Sequence, residues 1–325
     1  MLSEADVASL LDLEDLLPVI EEAFVKQGRG EVERPDRPQF PIGTGLVAEP
    51  GTGLAMPAYV HGDATFATKV ASVVPANRDR GLPSVTATVL ACDADTGRPR
   101  ALLAGTRVTN ARTGCIGGLA ARELAVDGPV TLGVLGAGAQ ARWQTRAVAA
   151  ATGEDLAAVR VYSPSDSREA CAADLRAELD DAGVDVRAVG SPREAVSGAT
   201  VVVTATTSHE PVFDGRDLDP GTLVVAVGAF EADMRELDGE TMRRAARVFA
   251  DVPGEVAAVG DVADAGLGVE DLVALSEVFE GRAGRQSDEE VLVVESVGSA
   301  VLDAATTAHL VERADERGVG TDVEL

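Results

Sequence analysis

Lysine is almost missing from this 325-residue chain: of 28 basic residues only Lys26 and Lys69 are lysine, and the rest are arginine. Cysteine is scarce too. Cys92, Cys115 and Cys171 form no CxxC pair, which excludes a disulfide framework or thiolate zinc site and predicts reduced thiols. His61, His209 and His309 have no metal-ligand spacing, so no metal site is expected. No apolar run approaches the roughly 20 residues that a bilayer span requires. The acidic start, Met1-Leu2-Ser3-Glu4-Ala5-Asp6, is unlike a secretion signal, so the expectation is a cytoplasmic protein away from membranes. Positive charge is in deficit, with a formal net charge of -26. No basic stripe exists to displace counterions, which argues against nucleic acid as a partner. The acid is dispersed in short clusters such as Glu178/Asp180/Asp181 and Asp288/Glu289/Glu290. That pattern resembles cytoplasmic proteins of salt-loving microbes, whose carboxylates keep the surface hydrated.

What is present indicates two domains, because a chain of this length exceeds one core. From Ser3 to about Lys26, Val7, Leu10, Leu11, Leu16, Ile20 and Phe24 recur at helical spacing, with Lys26 in a polar turn. A Pro-rich segment, Arg34-Pro35-Asp36-Arg37-Pro38, leads into short β-like runs through Leu90. Asn110-Ala111-Arg112-Thr113-Gly114 then reads as a helix start capped by Asn110 and running to about Val126. From Val130 strands and helices alternate, and the strands (130–135, 159–162, 184–189, 200–204, 222–227, 247–250, 291–295) are mostly apolar. This predicts an α/β fold with a doubly wound parallel sheet covered on both faces. A last helix, roughly Ser299 to Arg317, is expected to return to the first domain. The division is thus 1–118 with 299–325 as a discontinuous α+β substrate and dimerisation domain, and 119–298 as the parallel-sheet domain.

Gly136-Ala137-Gly138-Ala139-Gln140-Ala141 reads GxGxxA between a buried strand and a helix, the Rossmann dinucleotide fingerprint. Gly136 permits the tight turn, Gly138 lets a pyrophosphate approach the backbone, and small Ala141 allows close helix packing. Forms that prefer NAD carry an acid after the second strand for the ribose 2′-hydroxyl. Here Ser163-Pro164-Ser165 followed by Arg168 stands there, which suits a 2′-phosphate and favours NADP over NAD, unless Asp166 serves the ribose.

Lys69 lies within Phe66-Ala67-Thr68-Lys69-Val70-Ala71-Ser72-Val73-Val74, a β-prone run where an ammonium is costly without a partner. Arg112, read in the first turn of a helix, opposes the dipole there, so its charge is expected to serve a ligand. Arg37 sits in a stiff loop between two prolines. Together these cations suit a carboxylate, with guanidinium forks binding it bidentately and the ammonium adding a point charge.

The chain resembles the ornithine cyclodeaminase/mu-crystallin family over essentially its whole length. The resemblance rests on Met56-Pro57-Ala58-Tyr59, the Lys69 strand with Pro75 and Asn77, Leu82-Pro83-Ser84, Asp95-Thr96-Gly97-Arg98-Pro99 and Thr109-Asn110-Ala111-Arg112-Thr113. It continues through the GxGxxA string, Ala226-Val227-Gly228-Ala229, Glu236-Leu237-Asp238 and Ser296-Val297-Gly298. It implies a homodimer with a site between two domains, in which Arg37, Lys69, Arg112 and Val297 meet the substrate and Lys69 is catalytic. It further implies cofactor contacts from Ser84, Arg112, Thr113, Ala139, Gln140, Ser163, Thr204, Val227, Gly228, Ala229, Phe230 and Ser296, beside Gly136, Ala137, Gly138, Ser165 and Arg168.

Cyclodeaminase members have an acid shortly after the Val-Gly turn and a lysine soon after, where this chain has Phe230 and Met234. A phenylalanine cannot take a proton from a substrate amine. The expectation is an NAD(P)-dependent oxidoreductase acting on a small imino or amino acid, of the ketimine reductase or alanine dehydrogenase type. The alternatives are an ornithine cyclodeaminase, which releases proline and ammonia, and a non-enzymatic NADP-loaded binding protein.

Overall fold

The computed structural model describes residues 1–43 and 51–324. The chain forms two compact units, Met1–Arg112 with Ser299–Leu325, and Thr113–Gly298.

The first unit opens with two helices, Glu4–Leu10 and Leu13–Gly28, where the spacing predicted one. Leu11 is extended and the Asp12 carboxylate accepts the Glu14 N–H, so an N-cap restarts the helix. Val7, Leu10, Leu16, Ile20 and Phe24 are all buried, so the periodicity identified the right face. Lys26 lies in the last helical turn rather than in a polar turn, paired with Glu22 at 3.4 Å and Asp63 at 3.7 Å. Six strands follow: β1 (Val32–Glu33), β2 (Gln39–Ile42), β3 (Gly51–Val60), β4 (Thr65–Val73), β5 (Val85–Asp93) and β6 (Pro99–Ala104). They form an antiparallel sheet in the order β1-β3-β4-β5-β6, with β2 also on β3. In β4, Thr65, Ala67, Lys69 and Ala71 face the core while Val70 is exposed, the period of two that one buried face imposes. The C-terminal helix Ala300–Arg317, capped by Ser299, packs on Leu13–Gly28, β3 and β4.

The helix predicted to start at Asn110 runs instead over Gly105–Leu124. A Cβ at Gly105 would meet the backbone of Ala87 and Thr88 at 2.9–3.0 Å, and the Thr106 hydroxyl accepts the Ala87 N–H. Contact with β5 therefore sets the start. Arg112 lies two turns in, and the dipole argument does not apply to it.

The second unit is an eight-stranded, all-parallel sheet: β7 (Val130–Leu135), β8 (Leu156–Tyr162), β9 (Asp185–Ala188), β10 (Val201–Thr204), β11 (Leu223–Ala226), β12 (Ala245–Ala250), β13 (Leu272–Ala274) and β14 (Val291–Glu295). The order is β13-β12-β14-β11-β10-β7-β8-β9, so the strand order reverses at β7. Every residue of β10, β11 and β14 is buried, as expected of strands covered on both faces. The three cysteines are free and buried, and burial pushes the Cys115 thiol up to about 12. Among the described residues no helix is long and apolar enough to cross a membrane.

Candidate active site

In the first unit, Lys69 faces inward from β4, opposite Met56 and Val89, and is 2% exposed. Its Nζ lies 2.6 Å from Oδ2 of Asp303, whose Oδ1 accepts a hydrogen bond from Arg112 Nε at 3.0 Å. Asp303 is in the first turn of the C-terminal helix and is 1% exposed. Burial lowers the Lys69 pKa to about 8, with Arg112 and Arg37 pushing the same way and Asp303 opposing. Burial alone would raise Asp303, but Arg112 and Lys69 more than reverse it and hold the carboxyl below its ordinary value. Half-buried Arg37 is thus close enough to act on Lys69, and the three cations predicted from sequence converge. Asp303 thus faces two buried cations at once, Lys69 and Arg112. Ser84, also in this unit, precedes β5, and its carbonyl accepts the Val74 N–H.

In the second unit the remaining predicted residues gather along the C-terminal edge of the sheet. After β7, Gly136 has φ 119°, and a Cβ there would meet Ala205 O at 2.4 Å, so only glycine fits. Ala137 follows, its carbonyl accepting from Arg142 Nη1. Gly138 is the N-cap of helix Ala139–Thr152 and supplies no side-chain cap. Nothing lies within 4 Å of where its Cβ would be. The first turn of this helix, which begins Ala139-Gln140, and its dipole therefore border open space at Gly138 that suits a pyrophosphate. Thr113 is tied to this helix by Gln144, whose amide donates to its carbonyl at 2.8 Å.

After β8, the Ser163, Ser165 and Ser167 hydroxyls lie within 2.6–3.4 Å of one another. Arg168 Nη1 donates to the carbonyls of Ser163 and Ser165, and Asp166 makes no side-chain cap.

The ends of β10 and β11 are joined by Glu236, a residue the sequence reading quoted without assigning it a role. Its carboxylate accepts from the Thr204 hydroxyl at 2.8 Å, the Thr206 N–H at 2.6 Å and the Gly228 N–H at 2.8 Å. A Cβ at Gly228 would sit 2.5 Å from Glu236 Oε1. Burial raises Glu236 to about 7, the three donors opposing. Glu295 ends β14; burial and the charges of Asp261, Glu236 and Asp251 push it well up. Asp251 accepts from the Ser296 hydroxyl at 2.7 Å and from the N–H groups of Val297 and Gly298. Val227 N–H donates to Thr204 O. Ala229, Met234 and Val259 form a small apolar cluster against which Phe230 and Val297 pack. Among the described residues no group of His, Cys, Asp and Glu could hold a metal.

Asp303 and the carboxylates under the sheet edge escaped the sequence reading. A signal existed for Asp303: it is a lone acid amid Ala300, Val301, Leu302, Ala304 and Ala305.

One unit thus carries a glycine-rich turn leading into a helix N-terminus, and the other a buried carboxylate between two cations. The profile of the ornithine cyclodeaminase/mu-crystallin family matches residues 1–318, and the chain belongs to that family. The alanine dehydrogenase of Archaeoglobus fulgidus is 32% identical over 332 residues, covering 100% of this chain and 98% of its own. The solved Delta(1)-pyrroline-2-carboxylate reductase of Thermococcus litoralis, in complex with NADH and L-proline, has a TM-score of 0.92. It is 33% identical, covering 99% of each chain. An archaeal alanine dehydrogenase dimer with bound NAD has a TM-score of 0.89 at 30% identity, covering 99% of this chain and 98% of its own.

Glu236 makes a prediction about stability. Folded, it keeps its proton to about 7, whereas unfolded it loses it above about 4.5. The folded state then binds more protons in this window, so stability falls as pH rises from about 4.5 to 7. Glu236→Gln cannot titrate, and it leaves one backbone donor without its oxygen, a uniform cost of about 1–3 kcal/mol. Denaturant midpoints at fixed salt should therefore show a flatter pH dependence in the variant. Parallel curves would sink this reading of Glu236.

Proposed function

We propose that this chain is an NAD(P)-dependent oxidoreductase of small imino or amino acids, of the ketimine reductase or alanine dehydrogenase type. The observation that carries this reading is the buried Lys69–Asp303–Arg112 group with Arg37, in a chain that also has an open dinucleotide cradle. When bound, the cofactor exchanges a hydride at nicotinamide C4 with the carbon next to the substrate carboxylate. Arg37, Lys69 and Arg112 hold that carboxylate and fix the carbon's position, the entropic share of the catalysis. Lys69, at about 8, is also suited to exchanging a proton near neutral pH. Phe230 packs in an apolar cluster and has no proton to exchange, which disfavours the cyclodeaminase alternative.

The test is a cofactor-oxidation screen in concentrated KCl, which suits the net charge of -26 and the high-salt cytoplasm we propose for the protein. Substrates are Δ1-pyrroline-2-carboxylate, pyruvate with ammonia, and ornithine. The expected outcome is oxidation with the cyclic imine or with pyruvate and ammonia, weaker in dilute buffer. The substrate-concentration-limited rate should fall as pH rises through about 8. Lys69→Ala should lose about 10²-fold or more. Ornithine consumption without net cofactor change would overturn the assignment.

The serine cluster and Arg168 favour NADP(H). Arg168→Ala should raise KM for NADPH about tenfold, the scale of one charge-assisted contact, and leave KM for NADH nearly unchanged. An equal effect on both would remove the basis for this preference.

We also propose a homodimer through the face of the antiparallel sheet that the C-terminal helix leaves open. Val70 (57% exposed), Leu90 (38%) and Leu102 (42%) lie there, with Leu90 and Leu102 paired across β5 and β6. Sedimentation in concentrated KCl should give twice the chain mass, and Leu90→Arg should give single chains. A monomeric wild-type protein refutes it.

A further inference from the structure

We propose that Asp303 is a positioning residue that keeps Lys69 a cation and holds it beside Arg112, so that carboxylate binding depends on the Asp303–Lys69 contact. The inference deepens the proposed function and rests on it for the identity of the bound carboxylate. Asp303 does not itself contact that anion; its charge is spent on the two cations.

The geometry has three parts. Lys69 projects from β4 into a face covered by the C-terminal helix, at 2% exposure, where an isolated ammonium tends to shed its proton. The charged groups acting on it come from three elements: Asp303 on the C-terminal helix, Arg112 on helix Gly105–Leu124, and Arg37 in the loop before β2. Its cross-strand neighbours on β3 and β5, Met56 and Val89, carry no charge. Two of these three charged groups repel an ammonium, and Asp303 is the one of the three that attracts it. Asp303 is itself faced by Arg112 and Lys69, and it sits in the first turn of a helix whose N–H groups and dipole favour an anion. The Ser299 hydroxyl accepts the Val301 N–H at 3.2 Å and fixes that turn, and Thr307 donates to the Asp303 carbonyl at 2.7 Å one turn on. The carboxylate is therefore delivered to a fixed point between the two cations.

Removing this charge should lower the Lys69 pKa further, because only repulsion and burial remain. With its midpoint near 7 or below, Lys69 would be largely neutral by pH 8, and the clamp would lose one of its three charges. A residue that served only to fill space would not move the titration of Lys69.

The chain's composition supplies a direct measurement. Only Lys26 and Lys69 are lysine, so lysine labelled with ¹³C at Cε gives two resonances, with half-exposed Lys26 as an internal control. In the full-length wild type in concentrated KCl, the Lys69 resonance should titrate near 8. In Asp303→Asn its midpoint should drop by about one unit or more, the scale on which a near neighbour's charge moves a buried group, while that of Lys26 stays put. An unchanged or raised Lys69 midpoint overturns the proposal. This arm involves no turnover, so it stands apart from the functional assignment. If the screen with imino and keto acids fails while Lys69 shifts as expected, the substrate reading fails and the Asp303 assignment survives. Where turnover is found, Asp303→Asn should raise KM for the carboxylate substrate about tenfold with a smaller change in kcat, and the fall in kcat/KM should move to lower pH. A KM and pH profile matching wild type would count against it. If Asp303→Asn does not fold at neutral pH, Lys69→Met/Asp303→Asn should recover folding, since one of the uncompensated cations is gone. A double variant no better folded than the single would show that charge compensation is not what Asp303 provides.

Discussion

The first unit is organised around one buried carboxylate that faces two buried cations. Taking an ion out of water costs several kcal/mol, and the mutual attraction offsets this only when the geometry is held closely. The rest of the unit supplies that geometry. The alternation of β4 turns Lys69 inward, the Ser299 cap fixes the first turn of the C-terminal helix, and the packing of that helix on β3 and β4 brings Asp303 within 2.6 Å of the ammonium. Lys69 is one of only two lysines in the chain, and its chemistry differs from that of the arginines around it. An ammonium can be drawn towards a neutral form near pH 8, which a guanidinium cannot.

The second unit handles buried charge in the opposite way. Under the C-terminal edge of the parallel sheet, Glu236, Asp251, Asp261 and Glu295 are all buried, and no lysine or arginine is among the main influences on Glu295. Burial favours the protonated forms, pushing Glu236 to about 7 and Glu295 far up, with the charges of Asp261, Glu236 and Asp251 adding to the rise at Glu295. What the acids gain is backbone: Glu236 gathers N–H groups from the loops after β10 and β11, and Asp251 gathers those after β14. Strand order makes these loops neighbours, since β14, β11, β10, β7 and β8 are consecutive in the sheet. In an open α/β sheet a ligand binds outside the carboxyl ends of the strands where their order reverses, which here is at β7, beside the Gly136–Gly138 turn.

Much of this was legible because local physics dictated it. The buried strands of the second unit read as apolar runs, the GxGxxA turn has few uses, and an ammonium in a strand demands a partner. Errors arose where tertiary contact overrode a local signal. Asn110 has good capping chemistry, yet the helix starts at Gly105 because β5 lies against that backbone. The N-terminal helix was read as continuous because apolar spacing carries across the extended Leu11, while the Asp12 cap depends on a single side chain. Asp303 was missed for a different reason. Its partners are on β4 and on helix Gly105–Leu124, and no sequence spacing predicts that a residue so distant in the chain completes their charge balance.

Phe230 is the chain's main departure from the cyclodeaminase pattern. Cyclisation with loss of ammonia needs a group that exchanges protons with the substrate nitrogen after the hydride has moved. At the position where the family resemblance puts an acid, this chain has an aromatic ring packed with Val297 against Ala229, Met234 and Val259. An apolar side chain at that position offers no partner to an ammonium. Lys69 is then the one group among those described at the clamp whose proton is labile near neutral pH. A site with a single proton-exchanging side chain suits reversible reduction at one carbon–nitrogen bond, which requires one hydride and one proton.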